Sequence, residues 1–532
     1  MKKNLLLGGL LLLTSSMMAV NSIDNVFFDK VNYRGAFGTT DWTTGWSNFD
    51  PQNTVYAPTT VTIAAGDITT NTTWTKNNVY LLNGWVYVKS GAILTIEAGT
   101  LIRGDKTNKA ALIIEKGAKL IANGTAIEPI VFTSNQPVGN RTYGDWGGLI
   151  LCGQAPINPT GGSAVIEGGV GSTYGGTDPL DNSGSLKYVR LEFGGIAFVV
   201  NSEINGLTFG GVGSGTTVDY VQVSYAGDDS YEWFGGTVNA KHLIAYRGWD
   251  DDFDTDYGYS GMVQYAVSLR DPAIADQSSS NSFESDNDAS GSTNAPFTSA
   301  VFSNVSSFGP LVTPSTTISS LYKRAMHIRR NSKLQIYNAI FAGWPTGLYI
   351  DGSTTQANAI ANDLKLRNSA IAGMTTNIDV PASQTWDKAA ATTWYQTADF
   401  KNAQYTSNTE LGIVDPFNLV APRFNLKAES VLNTKSYWDG IISGFNINKA
   451  EIKSLSIYPN PAQSEVSIIL PFEQKSLVSI TVVDVTGRVV YSKQTVASEM
   501  ETINVSAFSN GIYMVVVKQG IETLTQKLFV SK

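Results

Sequence analysis

The segment Val218-Asp219-Tyr220-Val221-Gln222-Val223-Ser224-Tyr225-Ala226-Gly227-Asp228-Asp229 is answered 22 residues later by Ala240-Lys241-His242-Leu243-Ile244-Ala245-Tyr246-Arg247-Gly248-Trp249-Asp250-Asp251. A third unit is expected to open at Met262, another 22 residues on, with Val263-Gln264-Tyr265-Ala266-Val267-Ser268-Leu269. Short apolar runs broken by glycine, repeating every 20 to 30 residues without helical periodicity, predict coils stacked as a parallel β-helix. The same signal appears earlier, where Val86 to Thr100 and Leu112 to Thr125 place Gly91 and Gly117 in register 26 residues apart. Looser turns follow at Leu186 to Phe193, Phe297 to Val305, Lys333 to Ala342 and Ala361 to Ala372. The fold class is therefore all-β, a right-handed parallel β-helix over 61–404.

Coils bury their inward residues only against neighbouring coils, so the two ends of the stack need covers. Residues 23–60 carry Phe27, Phe28, Tyr33, Phe37, Trp42, Trp46, Phe49 and Tyr56. That density suits an N-terminal aromatic cap over an exposed coil end better than a sugar-stacking face. Trp386 to Tyr395, with Ala389 to Ala391 inside it, reads as a short helix. Residues 405–452 read as a closing segment and linker.

The composition agrees. Of 532 residues only 15% are charged, 37 Lys+Arg against 45 Asp+Glu for a net −8, while 50 are glycine. Soluble domains average ~25% charged. One cysteine and two histidines exclude a disulfide scaffold and a Cys/His zinc site. An acidic, charge-poor chain makes a poor nucleic-acid binder, because that binding rests on dense Lys and Arg. Cys152, within Gly148 to Gly153, reads as a small buried strand residue.

Residues 1–22 read as a secretory signal: Lys2 and Lys3, then the apolar run Leu5 to Leu13, then small residues to Ala19. The run is shorter than the ~20 residues that span a bilayer, so no transmembrane span is expected in the mature chain.

The character changes near 453. Alternating runs at Glu465 to Leu470, Leu477 to Asp484, Val489 to Tyr491, Thr502 to Val505, Ile512 to Lys518 and Leu524 to Val530 predict a small immunoglobulin-like β-sandwich over 453–532. Its landmarks are Tyr458-Pro459-Asn460-Pro461, Asp484 to Arg488 with Gly487, Gly511-Ile512-Tyr513, and Lys527. Together these resemble the type A C-terminal sorting domain of the type IX secretion system. The resemblance implies that residues 453–532 engage the type IX secretion machinery of a Gram-negative bacterium. It also implies that the protein ends on the outer cell surface or is released. The whole region between the signal and the sorting domain, through Phe27 to Phe37, Glu232 to Val238 and Met326 to Asn331, is similar to large secreted β-helix proteins carrying this sorting domain. No activity comes with that group.

The most pointed chemistry is acidic. Asp228, Asp229 and Glu232 lie on one coil, and Asp250, Asp251, Asp252, Asp254 and Asp256 on the next, so eight of 45 acids fall within 29 positions. In a 22-residue register, 228 stacks on 250, 229 on 251 and 232 on 254, about 4.8 Å apart. Like charges that close repel by ~1 kcal/mol in water and several-fold more near a protein surface. They call for full solvation or a cation. Calcium, which takes 6–8 oxygen ligands, is the candidate cofactor. Glu284, Asp286 and Asp288 could extend the face. An EF-hand is not the model: in Asp252 to Gly258 the glycine falls one position late, and no bidentate acid stands at the twelfth position, which is followed by Gln264.

Parallel β-helices also include polysaccharide-cleaving enzymes, and paired carboxylates can supply acid and base. The Gly-His-Gly and Arg-Ile-Lys motifs of polygalacturonases and the Trp-x-Asp-His strand of pectate lyases are missing, although Arg270, Arg329 and Arg330 are available. His242 and His327 lie in apolar strand contexts and read as structural. The reading favoured is a surface β-helix binding an extracellular glycan or surface, with calcium on its acidic ladder. The alternative is a lyase or hydrolase with an unfamiliar carboxylate site.

Overall fold

A computed structural model describes residues 22–199, 202–382, 386–437, 455–469, 477–485, 488–496, 500–519 and 522–532. All but Ser22 of the expected signal, 1–22, lies outside them, as do 438–452 of the expected linker and Gly487. Two units separate near residue 440.

In the larger unit, twenty-six strands between Val61 and Tyr405 form one continuous parallel sheet wound through three faces. The long strands Thr217–Ser224, Asn239–Tyr246, Met262–Leu269 and Val301–Phe308 each supply two of those faces. Midway along each, one residue turns left-handed: Tyr220 (φ 57°), His242 (53°), Tyr265 (62°) and Asn304 (56°). A left-handed residue with a side chain costs ~1–2 kcal/mol, so the corner must be held by its surroundings. The third face is made by separate short strands, among them Leu207–Gly210, Tyr231–Phe234, Phe253–Asp256, Phe283–Ser285 and Arg324–Ile328.

The expected registers can be compared residue by residue. Leu94 lies opposite Leu120, the 26-residue step, and Val218 opposite Ala240, the 22-residue step. The next step differs: Ala240 faces Val263, so it is 23 residues rather than the 22 expected at Met262. Inside the stack, Val221, Leu243, Ala266 and Val305 lie in one line and are fully buried. On the third face the inward line is aromatic. Tyr231 stacks on Phe253 at 5.7 Å, and Phe253 packs on Phe283 at 5.2 Å. Strand side chains alternate in direction, so fixing these rings inward turns Glu232, Asp254 and Glu284 outward. Truncating such a core aromatic typically costs ~3–5 kcal/mol.

Residues 23–60 do not cap a coil end. They form a strap along the flank of the stack, over the left-handed corner. Tyr188, Tyr220, His242 and Tyr265 stack in series there, with centroids 4.3, 4.1 and 5.0 Å apart. Trp46 packs edge-on against Tyr188 and Tyr220, and Trp42 against Tyr220 and His242. Farther along, Asn304 donates to the Gly35 carbonyl (3.1 Å), the Gly35 N–H to the Asn338 carbonyl (2.7 Å), and Arg34 Nε to Asn368 (2.9 Å). The corner line supplies a continuous row of rings and amides, which explains why the aromatics were better spent there than on one coil end. The returning segment joins it: Phe424 stacks on Phe37 at 5.0 Å and on Phe308 at 5.5 Å. His242 bonds Asp219 (2.8 Å) within this packing.

The short helix forms as Lys388–Tyr395, with Asp387 accepting from the Ala390 N–H, and a second helix spans Ser353–Ile360. Cys152 is fully buried, and burial pushes its thiol up to about 12.

In the smaller unit, the strands Ser456–Tyr458, Glu465–Ile469 and Met500–Asn504 form one antiparallel sheet. Leu477–Asp484, Val489–Val496, Gly511–Gln519 and Glu522–Val530 form the other. Val466, Ile480, Val482, Val515 and Leu528 make a separate core. The landmark residues tie turns to strands. Asn460 donates to the Lys527 carbonyl (2.8 Å) and accepts from the Phe529 N–H (2.7 Å), Asp484 holds Arg488 Nε (3.0 Å), and the Tyr513 hydroxyl donates to the Ser509 carbonyl (2.8 Å).

Candidate functional site

The outward line of the third face runs Thr208, Glu232, Asp254, Glu284, His327 and Tyr349, one residue per coil. Beside it, the turns entering the third face supply Asp228, Asp229, Asp250 and Asp251. Their backbones interlock: the Asp250 N–H reaches the Asp228 carbonyl (3.3 Å), and the Asp251 N–H reaches Asp229 Oδ1 (2.8 Å). The expected stacking of 228 on 250, 229 on 251 and 232 on 254 therefore matches the geometry.

Two groups bring carboxylate oxygens within 4.8 Å of one another: Asp228, Asp229 and Asp250, and then Asp229, Glu232 and Asp254. Asp229 belongs to both. Burial, with the neighbouring charges added to it, holds Asp228, Asp229, Glu232, Asp251 and Asp254 well above the ordinary carboxyl range. Burial likewise pushes Asp250 up to about 7. Among the described residues, no lysine, arginine or histidine forms an ion pair with any of these six.

Several oxygens at the ladder lack hydrogen-bond partners. Asn205, 1% exposed, gives its amide nitrogen to Glu232, and its Oδ1 is unpartnered. Asn281, also 1% exposed, gives its backbone N–H to Asp251, and its Oδ1 is likewise unpartnered. Asp250 Oδ1 and Asp254 Oδ1 are in the same state. A buried unsatisfied acceptor costs ~1–3 kcal/mol, so this set is expensive as it stands.

Asp252 and Asp256 stand apart from the two groups. Asp252 is fully buried and salt-bridged to the equally buried Arg270 at 2.8 Å. Asp256 lies against Asp286, and burial followed by that charge raises it. The expected extension through Glu284, Asp286 and Asp288 differs in kind. Glu284 meets His327 Nδ1 (3.1 Å) and Arg329, and Asp286 meets Arg329 Nε (2.9 Å) and Arg330 (3.1 Å). Burial alone would raise Glu284, but the His327 hydrogen bond and the Arg329 charge bring it below its ordinary value. Asp288 accepts from the Ser290 and Ser292 N–H groups and serves its own turn. His327, expected as structural, thus stands on the acidic line itself.

Three acids escaped the sequence reading, one of them Asp276, which shares the Ser278 hydroxyl with Asp250. Glu167 and Glu203 arrive on excursions outside the repeat, near the hairpins Ala164–Val165/Thr173–Tyr174 and Ile196–Val199/Ser202–Ile204. Burial and the nearby Glu203 charge push Glu167 up to about 7, and it bonds Glu232. No spacing rule places them, because neither belongs to a coil rung.

Residues 66–412 match the family described as a pectate-lyase-like β-helix domain, and residues 456–531 match the secretion system C-terminal sorting domain. No curated protein matches the chain. The sorting domain directs type IX export to the cell surface or extracellular space, and no helix among the described residues is long and apolar enough to cross a membrane. With its wound parallel sheet and outward acidic line, the chain belongs to the pectate-lyase-like β-helix family and carries a type IX sorting domain behind it.

Proposed function

We propose that the exported β-helix holds calcium on the ladder of Asp228, Asp229, Glu232, Asp250, Asp251 and Asp254 and, through it, attaches to acidic glycans outside the cell. The observation that carries this reading is five crowded carboxylates, with Asp251 beside them, that form no ion pair among the described residues, next to unpartnered oxygens on Asn205 and Asn281. Such a group must take up protons or a cation. Calcium accepts 6–8 oxygens at 2.3–2.6 Å, from carboxylates and amide carbonyls alike. Asp229 stands in both carboxylate groups, so two ions sharing its carboxylate is the arrangement this reading favours. Asp228, Asp250 and Asp254 are half-buried, which leaves a bound ion within reach of a ligand's carboxylates.

The test is a thermal melt of the full chain in calcium and in EDTA, followed by binding to polygalacturonate and alginate under both conditions. Calcium is expected to raise the melting temperature, and to be required for polysaccharide binding. An unchanged melting temperature overturns the reading.

A lyase or glycoside hydrolase is the second reading, favoured by Glu167 and Asp250, whose carboxyls are pushed up to about 7 and could serve as a proton donor at neutral pH. Arg329 is poorly suited as a base. Burial would lower it, yet Glu284 and Asp286 hold it above the ordinary arginine range. Release of new chain ends from an acidic polysaccharide, lost in Asp250→Asn, would establish this second reading.

A further inference from the structure

A groove of about 540 Å³ runs along the stack at the opposite end of the third-face strands, where the chain turns into the first face of the next coil. It is separate from the ladder and shares no residue with it. Its volume falls within the ~300–1,000 Å³ usual for ligand sites. Asn239, Met262, Gln335 and Lys365 line it from successive first-face rungs, with Ser299 just before the intervening rung at Val301. Thr237, Ser260, Ser299, Lys333 and Asp363, each two residues before one of these rungs, also line it, so every coil, spaced by about 4.8 Å, brings a polar side chain to the groove.

The lining has a definite chemistry. Asn239 Oδ1 accepts from the Met262 N–H (2.9 Å), and Gln335 Oε1 accepts from the Tyr337 hydroxyl (3.1 Å). Both amides are thereby oriented with their nitrogens as donors. Pro296 and the half-buried Phe297 add an apolar platform, and Lys333 lies 4.1 Å over the Phe297 ring. The ionic groups are spoken for: Lys333 bonds Asp363 at 2.8 Å, and Lys365 is also engaged.

We propose that this groove binds an uncharged polysaccharide lying along the stack, about one sugar residue per coil. The coil spacing is close to the length of a pyranose in an extended chain. Amide and hydroxyl side chains suit sugar hydroxyls, and the proline and phenylalanine suit the C–H face of a ring. An extended peptide fits less well, because it docks through backbone bonds to an open strand edge. Here the rungs beneath the groove are already paired on both sides.

The experiment is calorimetry of the full chain against neutral hexasaccharides of β-1,4-glucan, β-1,4-mannan, β-1,4-xylan and β-1,3-glucan, with hexagalacturonate as the acidic comparison, all in EDTA. At least one neutral chain should bind without calcium. Phe297→Ala and, independently, Ser299→Trp should each weaken it tenfold or more while the melting temperature holds. Asp254→Asn should leave it unchanged, which separates this site from the ladder. Failure of every neutral chain overturns the proposal, as does binding of hexagalacturonate alone, or binding that both groove variants leave intact.

Discussion

Two stretches of the same outward line, one coil apart, solve the same electrostatic problem in opposite ways. Asp228, Asp229, Glu232 and Asp254 form no ion pair among the described residues, and burial with mutual repulsion raises them. From Glu284 to Asp286 the next coils bring His327, Arg329 and Arg330, and Glu284 falls below its ordinary value. Backbone register is equally regular in both. The lesson is that a stacked acid pair says little until the side chains one coil farther on are known. Where an arginine arrives, the charge is structural. Where none arrives, it is left for a proton or an ion.

The largest break should come from Arg270→Met. It strands Asp252 as a lone buried charge, and one-sided loss of a buried pair typically costs ~3–5 kcal/mol. Denaturant melts should show a loss of that size, and Asp252→Asn added to it should recover part.

Next is Glu284→Gln, which removes a carboxylate from the Arg329 guanidinium and from His327 Nδ1. A loss of ~1.5–3 kcal/mol is expected from hydrogen bonds to charged groups. The same kind of change one coil earlier, Asp254→Asn, should act in reverse in EDTA. It relieves repulsion and raises stability by about 1 kcal/mol. In calcium it should lower stability instead. Equal signs for the two variants in EDTA would erase the distinction between the stretches.

The pH response sharpens it further. Carboxyls raised on folding contribute stability that is complete below the ordinary value near 3.8 and is lost as pH climbs through the raised one, about 7 for Asp250. Glu284 contributes the other way, at its full strength above its ordinary 4.5 and failing as pH falls below it. In EDTA the melting temperature should therefore decline from about pH 4 to about pH 7. Asp250→Asn should flatten that decline, and saturating calcium should remove it. The smallest effect belongs to the exposed Lys76–Glu128 pair (2.8 Å), where solvent screens the charges and Lys76→Ala should leave the melting temperature close to that of the unchanged chain.

The coil repeat was legible because inward positions such as Val218, Ala240, Leu94 and Leu120 must match their neighbours, and a mismatch would leave a void. The missed 23-residue step before Val263 shows the limit, since one extra turn residue leaves no mark on the apolar pattern. The acidic stacking was legible for the same reason as the coils. Its compensation was not: Arg329 stands 45 positions beyond Glu284 in the chain, across an insertion of unpatterned length. Glu167, Glu203 and the strap were hidden likewise. Ring density announces that Trp42 and Trp46 will be buried, but the row of left-handed tyrosines that receives them exists only once the coils are stacked.

By itself, then, the sequence determined the winding, the export domain and the gathering of eight acids into 29 positions. The winding and the acid cluster depend on local alternation and spacing, and the export domain on motifs that resemble a known sorting domain. Tertiary structure alone decided which acids meet a positive charge and which are left to one another. Coulomb energy follows distance in space, and the chain returns to the same face only after a full coil.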